Sequence, residues 1–412
     1  MNQTPHNPWL HGFALITALA TLGLIGIGGL VTSHGVGMSV PDWPTSYGYN
    51  MFALPVATWF TGGVFHEHTH RLWAAAVGVL VVALTRWLGG SRARAPLLAA
   101  GAGELLAGFA LLKLGADWRG AGHFLSGIGC VVLLAGAVWT KNPPAAKPLP
   151  ALGWWAFWLV QLQGLLGGLR VVLDAHMVAG AKLGVVFGLI HGCLGQMFLL
   201  LLCVIALLTS RWWMDRAGSP QPADGAHGVT RPTTKSFRWL FLFTTVLIFL
   251  QLILGATMRH QHAGLAIADF PLAHGRLWPD TSAAAVAGYN AARFELAGEN
   301  PITAFQIWLQ MAHRIGAVLV LGAVAACAWQ VRRSGFSQPG PPEGGTPNVL
   351  PRLTLRWIGL VLGQAGLGAW TIWSNKAADV ATAHVLAGAL SLVTGALLTI
   401  IVFCFSEAAR TE

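Results

Sequence analysis

Charge is what this chain has least of. Asp, Glu, Lys and Arg together make up 10% of its 412 residues, whereas 55% are hydrophobic. Cysteine is scarce too, and all five (Cys130, Cys193, Cys203, Cys327 and Cys404) fall inside apolar runs. With none in a loop, no disulfide framework or CxxC site is indicated, and packing is the reading for each. The alternating ten-residue segments of a membrane barrel are missing. A net charge of +10 would suit a nucleic-acid partner. The basic residues, however, sit in short loops between apolar runs, where the positive-inside rule accounts for them, so nucleic acid is excluded.

What the chain does have is long apolar runs. Ten of them lie at roughly 12–33, 67–88, 96–114, 122–140, 152–172, 182–208, 238–259, 305–331, 356–373 and 381–405, near the length that about 30 Å of hydrocarbon demands. In lipid such runs form helices, because strands would leave backbone groups unpaired. The expected class is an all-α polytopic membrane protein. The runs 96–114 and 122–140 are the weakest, being Gly-rich and holding Glu104, Lys113 and His123; a hairpin lying partly in the interface is expected there. The start, MNQTPHNPWLHGF, has neither a basic n-region nor an Arg-rich presequence. The first run is therefore read as retained, and a bacterial cytoplasmic (inner) membrane is expected. Basic residues such as Arg86, Arg92, Arg94, Lys141, Lys147, Arg211, Arg216, Arg231, Lys235, Arg332, Arg333, Arg352 and Arg410 place both termini in the cytoplasm and the loops 34–66 and 260–304 outside.

The chain also repeats itself. GGLVTSHGVGMSVPDWP, from Gly28 to Pro44, aligns without a gap on GATMRHQHAGLAIADFP, from Gly255 to Pro271. His70-Arg71 then matches His313-Arg314, and Gln163-Gly164-Leu165-Leu166-Gly167 resembles Gln364-Ala365-Gly366-Leu367-Gly368. In each half a histidine, His191 or His384, follows on the next helix. This predicts two pseudo-symmetric four-helix bundles, 1–208 and 238–412, with the span pair 96–140 inserted in the first. The segment 209–237, rich in Gly, Pro, Ser and Asp, is expected as a cytoplasmic linker, and 334–350 as a shorter one.

The chemistry is concentrated where ionisable groups enter the apolar runs, since such groups are costly there and mark function. His66 to Arg71 reads HEHTHR. A b-type haem in a helical bundle needs two neutral imidazoles on opposite faces of the porphyrin, supplied by different helices. His70 with His191 would make one pair and His313 with His384 the other. Structural histidines are the alternative for any one of them, but two packing needs would not recur at matching positions. Glycines around Gly164, Gly167, Gly168, Gly192 and Gly195, and around Gly363, Gly366, Gly368 and Gly388, suit a flat macrocycle or ordinary helix packing.

The halves differ at Glu67, three residues before His70, where the other half has Gln310. A carboxylate beside a haem can exchange protons and an amide cannot; an i,i+4 ion pair with Arg71 is the other reading, and both can hold. Arg71 and Arg314 would meet haem propionates or anchor helix ends by snorkelling. His66 and His68 are read as loop-facing or supporting residues. His34, Arg259, His260 and His262 flank the repeated loops, while Asp42 and Asp269 are read as turn formers.

Together the loop motif, Glu67-x-x-His70-Arg71, QGLLGGLRV, His191-Gly-Cys-Leu-Gly-Gln-Met-Phe and the second-half counterparts resemble the haem A synthase family over nearly the whole chain outside the linkers and the insertion. The resemblance implies an eight-helix core and oxidation of the C8 methyl of haem O to a formyl group, through successive hydroxylations to a gem-diol that loses water. It implies that His70 and His191 hold the substrate haem O beside the acid Glu67, and that His313 and His384 hold a resident haem b that passes electrons. A quinol as electron donor, haem O synthase and a second copy of the chain are the partners considered. Two features depart from the family. The outer loops lack the cysteine pair of some members, and the inserted spans are foreign to an eight-helix pattern. Two other classes fit part of the pattern: a transporter built from repeats, and a di-haem, quinol-linked cytochrome that only moves electrons.

Overall fold

The computed structural model describes residues 6–138, 140–217, 235–292, 301–333 and 349–407. Among them are ten long helices: α1 Pro8–Ser33, α2 Val64–Gly89, α3 Arg94–Leu114, α4 Arg119–Ala137, α5 Leu149–Val172, α6 Leu183–Thr209, α7 Lys235–His260, α8 Ala304–Arg333, α9 Val349–Trp373 and α10 Ala378–Glu407. Eight stretches are long and apolar enough to cross a membrane, one of which, Val64–Leu114, runs through both α2 and α3. Helix α9 is the less apolar exception, interrupted by Arg352, Arg356 and Gln364. The chain is an all-α, multi-pass membrane protein. Helix ends lie within a few residues of those expected, the widest difference being the start of α9, expected at 356 and found at Val349. The linkers expected at 209–237 and 334–350 lie largely outside the described residues, Arg231 and Arg410 with them.

The chain divides into two compact units, Met1–Ser219 and Pro220–Glu412. In the first, α1 packs on α2 and α6, and α5 packs on the same two, so the four close a ring with α2 and α6 on one diagonal. In the second, α7 packs on α8 and α10, and α9 closes that ring in the same way. In each ring the segment after the first helix, of which 34–63 and 261–292 are described, lies at one end, called here the loop end. The opposite end of the first ring is filled by Leu10, Ala14, Ala18, Val77, Val81, Leu84, Leu88, Phe198, Leu202 and Ile205. The corresponding part of the second holds Phe241, Trp357 and Leu392, with the indole N–H of Trp357 donating to Ser391 O at 3.0 Å. Apolar side chains thus fill one end, and the histidines lie nearer the loops.

Helices α3 and α4 form the inserted hairpin, with both strands of it fully helical. Gly101 and Gly108 of α3 and Gly122, Gly129 and Gly136 of α4 let the backbones meet: a Cβ at Gly129 would fall 2.8 Å from both Gly101 O and Leu105 N. Small residues at such spacing are how helices approach closely in lipid. The hairpin is fixed to the ring by Val82, Leu97, Val132 and Phe157 and by the Gln161 amide, which donates to buried Glu104 at 2.8 Å. Phe124 stacks against Trp43 with ring centroids 4.8 Å apart.

Candidate functional site

The turns 40–49 and 267–276 fold alike, each closed by a backbone bridge, Ser46 with Tyr49 and Ala273 with Arg276. Asp42 accepts from the Tyr47 and Gly48 amides at 2.7 and 2.9 Å, and Asp269 accepts from the His274 and Gly275 amides at 2.7 and 2.8 Å. Both carboxylates therefore form the turns expected of them. Burial alone would raise their pKa values, but the amide bonds, with a hydroxyl from Thr45 at Asp42, hold both below the ordinary carboxylate value.

The second helix of each ring staples its loop. Glu67, 4% exposed, accepts from the Val40 amide at 2.9 Å and from Arg71 at 2.8 Å. Gln310 accepts from the Ile267 amide at 2.7 Å and donates to Ile267 O at 3.1 Å. Val40 and Ile267 are equivalent in the repeat. Arg71 donates to Val40, Asp42 and Thr45 carbonyls at 2.7, 2.6 and 3.0 Å, and Arg314 to Asp269 and Leu272 carbonyls at 2.7 and 2.8 Å. Each guanidinium thus ties its loop to the second helix of the ring, beside the propionate role considered for Arg71 and Arg314. The ion pair that competed with a proton role for Glu67 is present.

Below the staples the histidines meet. The rings of His70 and His191 have centroids 6.4 Å apart at 78°, and those of His313 and His384 are 6.3 Å apart at 68°. An imidazole nitrogen binds a first-row metal at about 2.0–2.1 Å, and the ring centre lies roughly 1.1 Å behind it. Two imidazoles on opposite faces of one haem iron therefore have centroids roughly 6.3 Å apart. Both pairs fit that span. Among the described residues no group of three or more His, Cys, Asp or Glu could hold a metal ion, which suits an iron whose other four ligands are porphyrin nitrogens.

Each histidine also lies against a glycine on a neighbouring helix. A Cβ at Gly28 would come 3.0 Å from His70 Nε2, one at Gly167 3.4 Å from His191, one at Gly255 3.0 Å from His313, and one at Gly368 3.1 Å from His384. Of the other glycines, Gly164 packs on Phe124, Gly168 on Trp43 and Gly388 on Leu252, while a Cβ at Gly192, Gly363 or Gly366 would meet nothing within 4 Å. His191 Nδ1 donates to Gln163 O at 3.1 Å and His384 Nδ1 to Gln364 O at 3.0 Å. That fixes the tautomer with its lone pair on Nε2, the nitrogen that would bind a haem iron. His313 differs, its Nδ1 lying 3.1 Å from the Gln251 amide nitrogen.

The remaining histidines stand apart from the pairs. His34 and His66 stack at 4.7 Å. His68 is fully buried against the loop, with Ser46 3.4 Å from Nδ1 and Trp59 edge-on at 4.8 Å. His260 ends α7, and exposed His262 takes a left-handed conformation after it. Gly28, Gly255 and Gln251 were not legible as site residues, since what they touch lies tens of residues away in sequence.

A helical membrane protein with a facing histidine pair in each of two repeated bundles is the class that fold and site define. Residues 119–397 match the family model described as cytochrome oxidase assembly protein, COX15-CtaA. That is more than half of the chain, which belongs to this family. Over 160 residues it is 29% identical to a protein named Heme A synthase from Shewanella oneidensis, the match covering 39% of this chain and 43% of that one. The chain thus spans less than half of the length of that relative. His191, His313 and His384 fall within the family match, while Glu67 and His70 precede it.

Proposed function

We propose that this protein is a haem A synthase, oxidising the C8 methyl of haem O to a formyl group by successive hydroxylations. The observation that carries this is the pair of histidine couples, each at the separation one haem iron spans, in a member of a cytochrome oxidase assembly family. In this reading His70 and His191 of the N-terminal bundle (1–208) hold the substrate haem O. His313 and His384 of the C-terminal bundle (238–412) hold a resident haem b, which supplies single electrons when bound. The chain's own groups orient and enclose: carbonyl-bound His191 and His384 are set in one tautomer, the four glycines let each imidazole lie against a neighbouring helix, and the stapled loops exclude water. Glu67, one turn from His70, is the proton-exchanging group, held in place by Val40 N–H and Arg71. The loops face outward from a bacterial cytoplasmic membrane with both termini inside, and the partners are haem O, an electron donor such as a quinol, haem O synthase and a second copy.

One observation favours a purely electron-carrying di-haem protein: Glu67 and Gln310 make the same staple, so their difference is not by itself proof of chemistry. Haem extraction and chromatography after co-expression with a haem O source separates the two. Haem A in the extract is the expected result, and unchanged haem O with two b-type signals would sink the enzyme reading.

A further inference from the structure

The staples repeat residue for residue, but the cations above the histidines do not. Each bundle has two positions one helical turn nearer the loop end than the glycines that touch histidine, on the same helix faces. In the first bundle these are Thr32, four residues after Gly28, and Arg170, three after Gly167. In the second they are Arg259, four after Gly255, and Thr371, three after Gly368. Both threonines bond back to their own helices, Thr32 to Gly28 O at 3.0 Å and Thr371 to Leu367 O at 2.8 Å. Each bundle thus carries one arginine and one threonine on the loop side of its histidine pair, with the arginine on opposite diagonal helices.

Arg170 lies against the loop at Gly37, where an added Cβ would meet its guanidinium. Unlike Arg71 and Arg314 it makes no hydrogen bond or ion pair among the described residues. A guanidinium offers five N–H donors in a fork that matches a carboxylate. Arg170 is only partly buried, which leaves its fork open to a ligand's carboxylate.

We infer that Arg170 receives a propionate of the haem held between His70 and His191, and so sets which edge of that macrocycle faces α5. This rests on the reading of a substrate haem in the first bundle. The methyl at C8 shares its pyrrole ring with one of the two propionates. A fork closed on that propionate therefore fixes the methyl within the same small region, making Arg170 a positioning residue for the oxidation. The exchange of Arg and Thr between bundles turns the two macrocycles differently in otherwise matching rings. One of them presents a methyl for reaction, and the other only relays electrons.

The test titrates full-length protein, resident haem in place, with haem O and with its dimethyl ester, followed by the visible spectrum. The wild type binds haem O more tightly than the ester. Arg170→Gln binds haem O roughly tenfold to a hundredfold more weakly, the scale of a hydrogen bond to a charged group, and no longer distinguishes the ester. Arg170→Lys, which keeps the charge without the fork, retains part of the preference. The b-type signal of the second bundle persists in each variant and reports intact folding. A preference for the free acid that survives in Arg170→Gln overturns the inference while leaving the enzyme reading standing. A wild type that takes up no haem O in the first bundle removes that reading itself.

Discussion

The two bundles are built on one plan. Loop turns, loop staples, histidine pairs and their glycines coincide: Asp42 with Asp269, Val40 with Ile267, Arg71 with Arg314, Gly28 with Gly255. Even the Trp43–Pro44 and Phe270–Pro271 bonds are both cis. Against that background the differences stand out as Glu67 for Gln310, Arg170 for Thr371, Thr32 for Arg259, and His68 with Ser46 for Met311 with Ala273. What coincides places the loops and the histidine pairs; the differences lie on the loop side of those pairs.

The harshest way to break the comparison is at the histidines. His313→Ala should abolish the b-type spectrum of the second bundle and leave haem O binding by the first, whereas His70→Ala should do the reverse; absorption spectra of the purified variants decide, and an unaltered spectrum would mean the wrong ligand. Next in size, Glu67→Gln gives the first bundle the second's staple. Protease resistance of the loop should persist while haem A formation falls about a hundredfold to ten-thousandfold, the scale of a lost acid–base group. Full activity would take Glu67 out of the chemistry.

The glycines sharpen the comparison further. A methyl at Gly28, Gly255 or Gly368 crowds a histidine at 3.0–3.1 Å, but at Gly167 the gap is an ordinary 3.4 Å. Crowding of this kind costs about 1–3 kcal/mol. Gly368→Ala should therefore weaken haem retention noticeably and Gly167→Ala hardly at all, as read by haem loss to an acceptor protein; equal losses would refute the packing geometry.

Acid should act on both loops alike. Asp42 and Asp269 have folded pKa values below the ordinary one, so the anions stabilise the loops above the unfolded carboxylate pKa, and that contribution fades as pH falls through the lower folded values. Loop proteolysis should stay flat from neutral pH down to the carboxylate range and rise below it. A rise already near pH 6 would point to other groups. Smallest of all, Glu104→Gln keeps an acceptor for Gln161 and should shift stability by less than about 1 kcal/mol. A steep loss on thermal melting would show that charge at Glu104 matters.

Much of this architecture was legible because lipid imposes simple rules. Hydropathy located all ten helices, and the gapless match from Gly28 to Pro44 onto Gly255 to Pro271 revealed the repeat. Its histidines followed from the cost of burying imidazole in an apolar run. Illegible were contacts that join distant segments. Arg71 in sequence is a cation beside a ligand, and only the folded loop shows that three backbone carbonyls engage it. Arg170 looks like an ordinary helix-end arginine until its position above Gly167 is seen. The weak, glycine-rich runs at 96–140 were expected to lie partly in the interface because their composition lowers hydropathy, yet the same glycines let α3 and α4 pair closely.

That hairpin leaves and rejoins the ring at neighbouring points. Ala145 N donates to Leu88 O, and Ser91 N to Asn142 O, both at 2.8 Å. A membrane-insertion machine delivering α3 and α4 would thus have them pair with each other and return the growing chain to where it started, with α5 still entering in its original direction. Such a cassette can be gained or lost in one genetic step without re-threading anything downstream, which is how one of two sister modules can lengthen while its twin keeps the ancestral span number.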